Sequence, residues 1–193
     1  FFMAQRRGLL SWGALAELAA DRMVLLFSFS RLCCMTSCDI LGSATARLIL
    51  YLPHRPVGLE TFAEAPTAQA VTEANSNHWR KIINLLAKVA SPEGDDWRRY
   101  RDHALFTQTA ICFAPQLLPA AGWHWIAGKE NLHRFEGLAH QATPIDAVGR
   151  LNMDVARRLL LSPYPDYRQL SNERVAVVRE ALAGAGFYGA GAC

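Results

Sequence analysis

The chain has 193 residues, of which 51% are hydrophobic, 10% aromatic and 19% charged. This composition excludes an intrinsically disordered polymer and supplies enough apolar side chains for one compact domain. The net charge of +3, from 20 basic and 17 acidic residues, is too close to balance to indicate a nucleic-acid or membrane protein by charge alone. The residues therefore indicate an architecture and do not by themselves identify an activity.

The first 34 residues differ in character from the rest of the chain. Arg6 and Arg7 precede a short apolar run that ends in the triplet Ala14-Leu15-Ala16, which resembles a weak leader sequence. The second apolar run, residues 23–29, is far shorter than the roughly 20 residues that cross a bilayer. We therefore expect no membrane partner.

Met35 offers an alternative start for the chain. A start there removes unexplained apolar surface and leaves a self-consistent pattern of strands and helices. We favour this interpretation, in which residues 1–34 are an extension or a misassigned start. Residues 35–47 are then a lead-in, residues 48–183 a single domain, and residues 184–193 a flexible tail.

The five cysteines indicate reduced thiols. Cys33, Cys34 and Cys38 are clustered, and only Cys112 and Cys193 lie elsewhere, which is a poor disulfide framework. The cluster lacks paired CxxC motifs and a nearby histidine, so we expect no metal site and no other cofactor. Reduced thiols favour a cytoplasmic location.

Strands and helices alternate from residue 48 onward. The predicted strands are short apolar runs, at 48–52, 110–113, 123–127 and 159–161. The predicted helices have helix-start signals or apolar residues at helical spacing, at 67–74, 78–90, 95–101, 130–135 and 173–183. Residues 137–156 have mixed periodicity and are assigned loops and short elements. The pattern predicts an α/β fold, a three-layer sandwich with a parallel or mixed central sheet of about four strands.

The clearest helix follows Asn77, the predicted N-cap. Its apolar residues recur at i, i+3, i+4, i+7 and i+11, which places them on one face, namely Trp79, Ile82, Ile83, Leu86 and Ala90. Arg80 and Lys81 lie away from this face. We expect the helix to pack on the sheet.

Ligands of α/β proteins bind at the carboxyl ends of the strands. This rule selects three loops, at residues 53–58, 128–129 and 163–172. In the last loop, Pro163 and Pro165 fix the backbone beside a dense set of polar side chains, namely Asp166, Tyr167, Arg168, Gln169 and Asn172. A rigid loop with many donors and acceptors suits the orientation of a polar ligand.

A purely structural role is the alternative for this loop. An ion pair of Asp166 with Arg168 or Arg80 would hold the final helix against the body of the domain. In that case Tyr164 and Tyr167 contribute packing alone.

A second candidate site lies at the start of the clearest helix. Free backbone amides there favour an anion, and His78, Arg80 and Lys81 add positive charge. In the alternative interpretation, Asn77 is a cap and the basic side chains are solvated.

Other motifs do not support a known chemistry. Gly128-Lys129 lacks the glycine spacing and the following Ser or Thr of a phosphate loop. No serine has the GxSxG context of a hydrolase. His124, His133 and His140 are spread over different elements, which favours isolated side chains over a metal site.

Two segments, NHWRKIINLLAKV and SPYPDYRQLSN, resemble the hallmark segments of a small bacterial family, a domain of unknown function seen mainly in gammaproteobacteria. The resemblance extends over about Leu48–Leu182 and implies no activity. It supports a domain start near Met35.

More distantly, the order of motifs resembles the uracil-DNA glycosylase superfamily, particularly its mismatch-specific branch. The matching positions lie at a helix start, a strand end and a late loop, and they are Asn77, Trp79, Arg80, Gly128, Lys129, Pro163, Pro165 and Asp166. The first strand ends in LPHRP where that superfamily has a glycine-rich motif, and Asp166 stands where it has Ser. The resemblance therefore implies a shared scaffold and puts glycosylase catalysis in doubt.

We hypothesise a ligand- or nucleic-acid-binding domain on a glycosylase-like scaffold, with a cavity between the three loops. The predicted polar lining consists of Asn77, Arg80, Lys129, Asp166, Tyr167 and Arg168. The alternative is an enzyme acting on a nucleotide-like or phosphorylated metabolite, with Asp166 as general base and Arg168 and Lys129 as anion clamps. A protein-interaction module without a cavity is the third hypothesis.

Overall fold

The computed structural model describes residues 39–43, 45–119 and 122–189. The expectations for residues 1–34 lie outside the described residues. The strands are β1 Ile40–Gly42, β2 Leu48–Tyr51, β3 Thr109–Cys112, β4 Trp123–Ala127, β5 Thr143–Pro144, β6 Asn152–Asp154 and β7 Leu159–Ser162. The helices are α1 Leu59–Phe62, α2 Ala68–Ala74, α3 Asn77–Ala90, α4 Trp97–His103, α5 Leu105–Gln108, α6 Lys129–Leu132 and α7 Asn172–Gly184.

The strands described above form one mixed sheet in the order β1-β3-β2-β4-β7-β6-β5. The four central strands are parallel, in the order β3-β2-β4-β7. β1 and β6 flank them as antiparallel neighbours, and β5 pairs with β6. The chain passes from β2 to β3 on one side and then to β4 on the other, so the strand order reverses between β2 and β4, where ligands of such sheets bind.

The four parallel strands are apolar because the sheet is buried on both faces. Register places one row of buried side chains across five strands, namely Leu50, Ile111, Trp125, Leu160 and Met153. This row belongs to the same core as Ile82 and Ile83 of α3 and Val178 of α7. The predicted α/β class is confirmed, and the three-layer arrangement stays a prediction.

Helix α3 matches the predicted amphipathic pattern. All five apolar residues predicted for its inner face are buried, and Arg80 is exposed. Its first residue is Asn77, so the cap position falls on Ser76 rather than on Asn77. The Asn77 side chain instead accepts a hydrogen bond from Arg80 Nε at 2.9 Å.

The expected sheet of about four strands is wrong, since the sheet has seven strands over the described ranges. The three extra strands have two or three residues each, which is too short for an alternating pattern to be detected. β1 lies in the expected lead-in, and β5 and β6 lie in the ambiguous region 137–156. No helix of the described segments is long and apolar enough to cross a membrane.

After α7, Phe187 and Tyr188 contact the body of the domain, and the flexible tail over residues 184–193 stays a prediction. Phe187 is buried, and its carbonyl accepts a hydrogen bond from Arg47 at 2.5 Å. The Tyr188 hydroxyl donates to the Val89 carbonyl at 2.6 Å.

Replacement of Leu41 tests whether β1 is an integral strand. Leu41 is fully buried, so Leu41→Ala should lower the free energy of unfolding by about 2–5 kcal/mol through lost burial and a residual cavity. Val57→Ala is the control, because Val57 is 76% exposed and should change stability by less than about 0.5 kcal/mol. Urea unfolding followed by tryptophan fluorescence measures both, and equal stability of the two variants would contradict the pairing of β1.

Candidate ligand-binding site

A cavity of about 600 Å³ opens at the carboxyl ends of the parallel strands. Pro53 follows β2, Gly128 and Lys129 follow β4, and Pro163 and Tyr164 follow β7; all five line the cavity. The predicted location between these three loops is therefore confirmed. Its volume is typical of sites that hold one small molecule.

The cavity has a buried floor and an exposed rim. We define the floor as the buried lining residues Ile126, Ala127, Asn131, Leu161 and Ser162, and the rim as the exposed lining residues Pro53, Lys129, Glu130, Gly149, Arg150 and Gln169. The floor is mainly apolar, and the rim carries two cations and one carboxylate. An apolar part of a ligand would therefore contact the floor, and a charged part would remain near the rim.

Gly128 allows the chain to leave β4 beside the cavity. Its φ of +94° lies in the region that side chains disfavour. Its amide donates to the Ser162 carbonyl at 2.8 Å, which holds β4 and β7 together beyond the last residues of β4. The Ser162 hydroxyl in turn accepts from the Trp125 indole at 2.8 Å and donates to the Pro163 carbonyl at 2.7 Å.

Asn131 and Arg134 provide donors for backbone carbonyls at the strand ends. The buried Asn131 amide donates to the Tyr51 carbonyl at 2.8 Å and accepts from Arg134 at 3.0 Å. Arg134 also donates to the Phe113 carbonyl at 3.1 Å. These contacts tie α6 and the turn after it to the ends of β2 and β3.

Tyr164 is hydrogen-bonded to two histidines at the edge of the cavity. Its hydroxyl lies 2.6 Å from His54 Nε2 and 2.8 Å from His78 Nε2. Burial lowers the pKa of His54, and the nearby His78 lowers it further. Burial also raises the pKa of Tyr164 above its ordinary value. Both shifts favour neutral side chains at neutral pH.

Of the six predicted lining residues, only Lys129 lines the cavity. Asp166 is turned to structural partners: Oδ2 accepts from Lys81 Nζ at 3.0 Å and Oδ1 from the Arg168 amide at 2.9 Å. The ion pair expected with Arg168 or Arg80 is thus made with Lys81. The role of Asp166 as a general base stays a prediction.

The other four predicted residues lie outside the cavity lining. Asn77 and Arg80 bond to each other at the exposed start of α3. The Tyr167 hydroxyl accepts from the Asn84 amide at 3.2 Å, and Arg168 is exposed. Five of the six residues therefore lie outside the lining of this cavity, because neighbouring positions of an irregular loop point in different directions, and their role in ligand binding stays a prediction.

Several residues of the site were not among the predicted lining. Arg150 and Asn152 come from the region without clear periodicity, so no pattern placed them near β7. His54 lies two residues after the first predicted strand. Its position at a strand end is the signal that could identify it as a residue of the site. Among the described residues, no group of three His, Cys, Asp or Glu side chains is arranged to hold a metal ion.

The fold and cavity define an α/β domain with a ligand-sized cavity at the carboxyl edge of a mixed sheet. Residues 39–183 match the Family of unknown function (DUF6942), and the chain belongs to this family. No curated protein and no solved structure matches the chain. The family match confirms the resemblance to a domain of unknown function, and the likeness to uracil-DNA glycosylases stays a prediction.

Asp166→Asn tests the structural role of Asp166. The Arg168 amide and the Lys81 ammonium lower the pKa of Asp166, so the carboxylate stabilises the fold above its ordinary pKa of 3.8. That contribution disappears as the pH falls through the lowered pKa. Since the pair is partly exposed, we expect a loss of at most about 1 kcal/mol at pH 7.

The measurement is urea unfolding of the wild type and Asp166→Asn between pH 7 and pH 2. The difference between them should vanish at the acid end. A difference that persists unchanged at pH 2 would show that the carboxylate charge does not stabilise the fold.

Proposed function

We propose that this domain binds a small nucleotide-like molecule, with its heterocycle on the floor of the cavity and its anionic group at the rim. The observation that carries the proposal is the pair of cations, Lys129 and Arg150, which line the cavity without partners. Neither side chain has a hydrogen bond or an ion pair within the part of the chain that the structure describes.

Other cations near the site are already occupied. Lys81 binds Asp166, and Arg134 binds backbone carbonyls. Lys129 and Arg150 are therefore the cations of the lining that remain available for an anion. Hydrogen bonds from such cations to phosphate or carboxylate oxygens are about twice as strong as neutral ones.

The walls of the cavity suit a flat heterocycle. Ile126 and Leu161 provide apolar surface on the floor, and the ring of Tyr164 adds an aromatic side. Asn152 and Gln169 also line the cavity, and their amides carry both donors and acceptors for the edge of a base. This combination of apolar walls and few polar groups is typical of small-molecule sites.

A nucleic-acid strand with one base in the cavity is the second candidate. Three of the eight positions that carry the resemblance to glycosylases, Gly128, Lys129 and Pro163, line this one cavity. A base turned out of a strand would need a cavity of this kind, together with phosphate contacts outside it. The near-neutral charge of the chain favours a free nucleotide over a strand.

A cytoplasmic location is part of the proposal. It is supported by Cys112, which is a buried free thiol, because reduced thiols are typical of that compartment.

Calorimetric titration with adenosine and uridine monophosphates tests the proposal. We expect binding to the wild type and a loss of about 100-fold or more in affinity for the double variant Lys129→Ala, Arg150→Ala, since each charged hydrogen bond contributes about 1.5–3 kcal/mol. Arg99→Ala is the matched control, because Arg99 is an exposed cation of α4 outside the lining, and it should bind as the wild type does.

The same titration with nucleosides and with short single- and double-stranded DNA separates the candidates. Weak binding of nucleosides and no salt-dependent DNA binding supports a free nucleotide. DNA affinity that falls steeply with salt supports the second candidate. Nucleotide affinity that is unchanged in the double variant contradicts the proposed anion site.

A further inference from the structure

The hydroxyl of Tyr164 has one hydrogen and two imidazole partners. Because His54 Nε2 and His78 Nε2 both lie within 2.8 Å of that oxygen, the hydroxyl can donate to one ring while it accepts from the other. When both rings are neutral, each carries one N–H. The ring that accepts therefore has its hydrogen on Nδ1, and the ring that donates has a lone pair on Nδ1.

In this arrangement the two rings have opposite tautomers. One Nδ1 is a base and the other is an acid at the same time. A proton taken up by the first Nδ1 moves on from that ring to the hydroxyl and from the hydroxyl to the second ring, whose Nδ1 releases a proton. One Nδ1 thus gains a proton while the other loses one, and the net charge of the cluster does not change.

Neither Nδ1 atom is fully buried. Neither has a hydrogen-bond partner among residues 39–43, 45–119 and 122–189. No buried side-chain nitrogen or oxygen of the described residues lacks a partner, so these unpartnered atoms are not buried.

The cluster lies beside the proposed ligand site. His54 follows Pro53, which lines the cavity, and Tyr164 lines it directly. His78 is in the first turn of α3. The three residues therefore join the loop after β2, the start of α3 and the loop after β7 at one point.

We propose that His54, Tyr164 and His78 form an acid–base centre that hydrolyses a phosphodiester bond of a nucleotide-like molecule held in the cavity. This inference rests on the proposed function, since the rim cations bind the phosphate. It adds a reaction and three residues to that binding site.

The step balances with water as the second reactant. The basic Nδ1 takes a proton from water while the water oxygen bonds to phosphorus, and the bond from phosphorus to the leaving oxygen breaks. The acidic Nδ1 gives its proton to that leaving oxygen. The Nε2 proton of the ring that took a proton from water then moves to the Tyr164 oxygen, and the hydroxyl proton moves to Nε2 of the other ring. Both rings are then neutral again, with their tautomers exchanged.

Nitrogen NMR of histidine-labelled full-length protein at pH 8 tests the proton arrangement without any ligand. The three-bond couplings within each ring report its tautomer. We expect His54 and His78 to show opposite tautomers, or one exchange-averaged signal set, and Tyr164→Phe to return both rings to the Nε2–H form that free imidazole prefers. The same Nε2–H form in both rings of the wild type would overturn the inference.

Release of p-nitrophenolate from bis(p-nitrophenyl) phosphate tests the reaction. We expect His54→Gln and His78→Gln each to lower the rate by about 100-fold or more, which is the usual range for loss of a general acid or base. Tyr164→Phe keeps the ring that lines the cavity and should lower the rate as well. His103→Gln, at an exposed histidine of α4, is the control and should keep the wild-type rate.

Nucleotide titration of the same variants distinguishes this inference from the proposed function. Retained nucleoside monophosphate binding with lost turnover in His54→Gln supports the acid–base centre. If the wild type binds nucleotide but cleaves the phosphodiester no faster than His54→Gln does, the proposed reaction is overturned and the proposed binding site is not. Absence of both binding and turnover in the wild type overturns both proposals.

Discussion

The central constraint on this protein is that four parallel strands, buried on both faces, end at the same edge of the sheet. Burial on both faces requires apolar strands, so the polar chemistry of the domain is confined to the loops that follow them. The same edge exposes strand-end carbonyls that need donors. Asn131 and Arg134 supply these donors, and the cavity forms where β4 and β7 end.

The loops at this edge are fixed by contacts distant in sequence. Tyr164 joins residues 54 and 78 through one hydroxyl, and Asp166 joins the same loop to α3 through Lys81. Two side chains of one loop, separated by Pro165, thus have different tasks. Tyr164 contributes to the cavity and the histidine pair, whereas Asp166 fixes the loop on the helix.

The sequence predicted the elements that have a strong periodic signal. The amphipathic face of α3 and the buried runs of β2, β4 and β7 were all found, and the rule on strand ends located the cavity. The short strands β1, β5 and β6 gave no signal because two or three residues do not define a period. The sequence pattern therefore places β1 in a lead-in and predicts too few strands for the sheet.

The sequence predicts the location of the cavity better than it predicts which side chains line it. A dense polar loop suggested that Asp166, Tyr167 and Arg168 face one ligand, yet the turn at Asp166 directs them to Lys81, Asn84 and solvent. Local sequence does not determine such directions, since they depend on contacts with α3. Arg150 reaches the cavity from a segment without periodicity, so only the tertiary structure shows it.

A crystal structure of the protein soaked with adenosine monophosphate tests the central claim most directly. The account predicts the phosphate within hydrogen-bond distance of Lys129 and Arg150, with the base against Ile126 and Leu161. A nucleotide bound elsewhere on the domain, with this cavity empty, would contradict it.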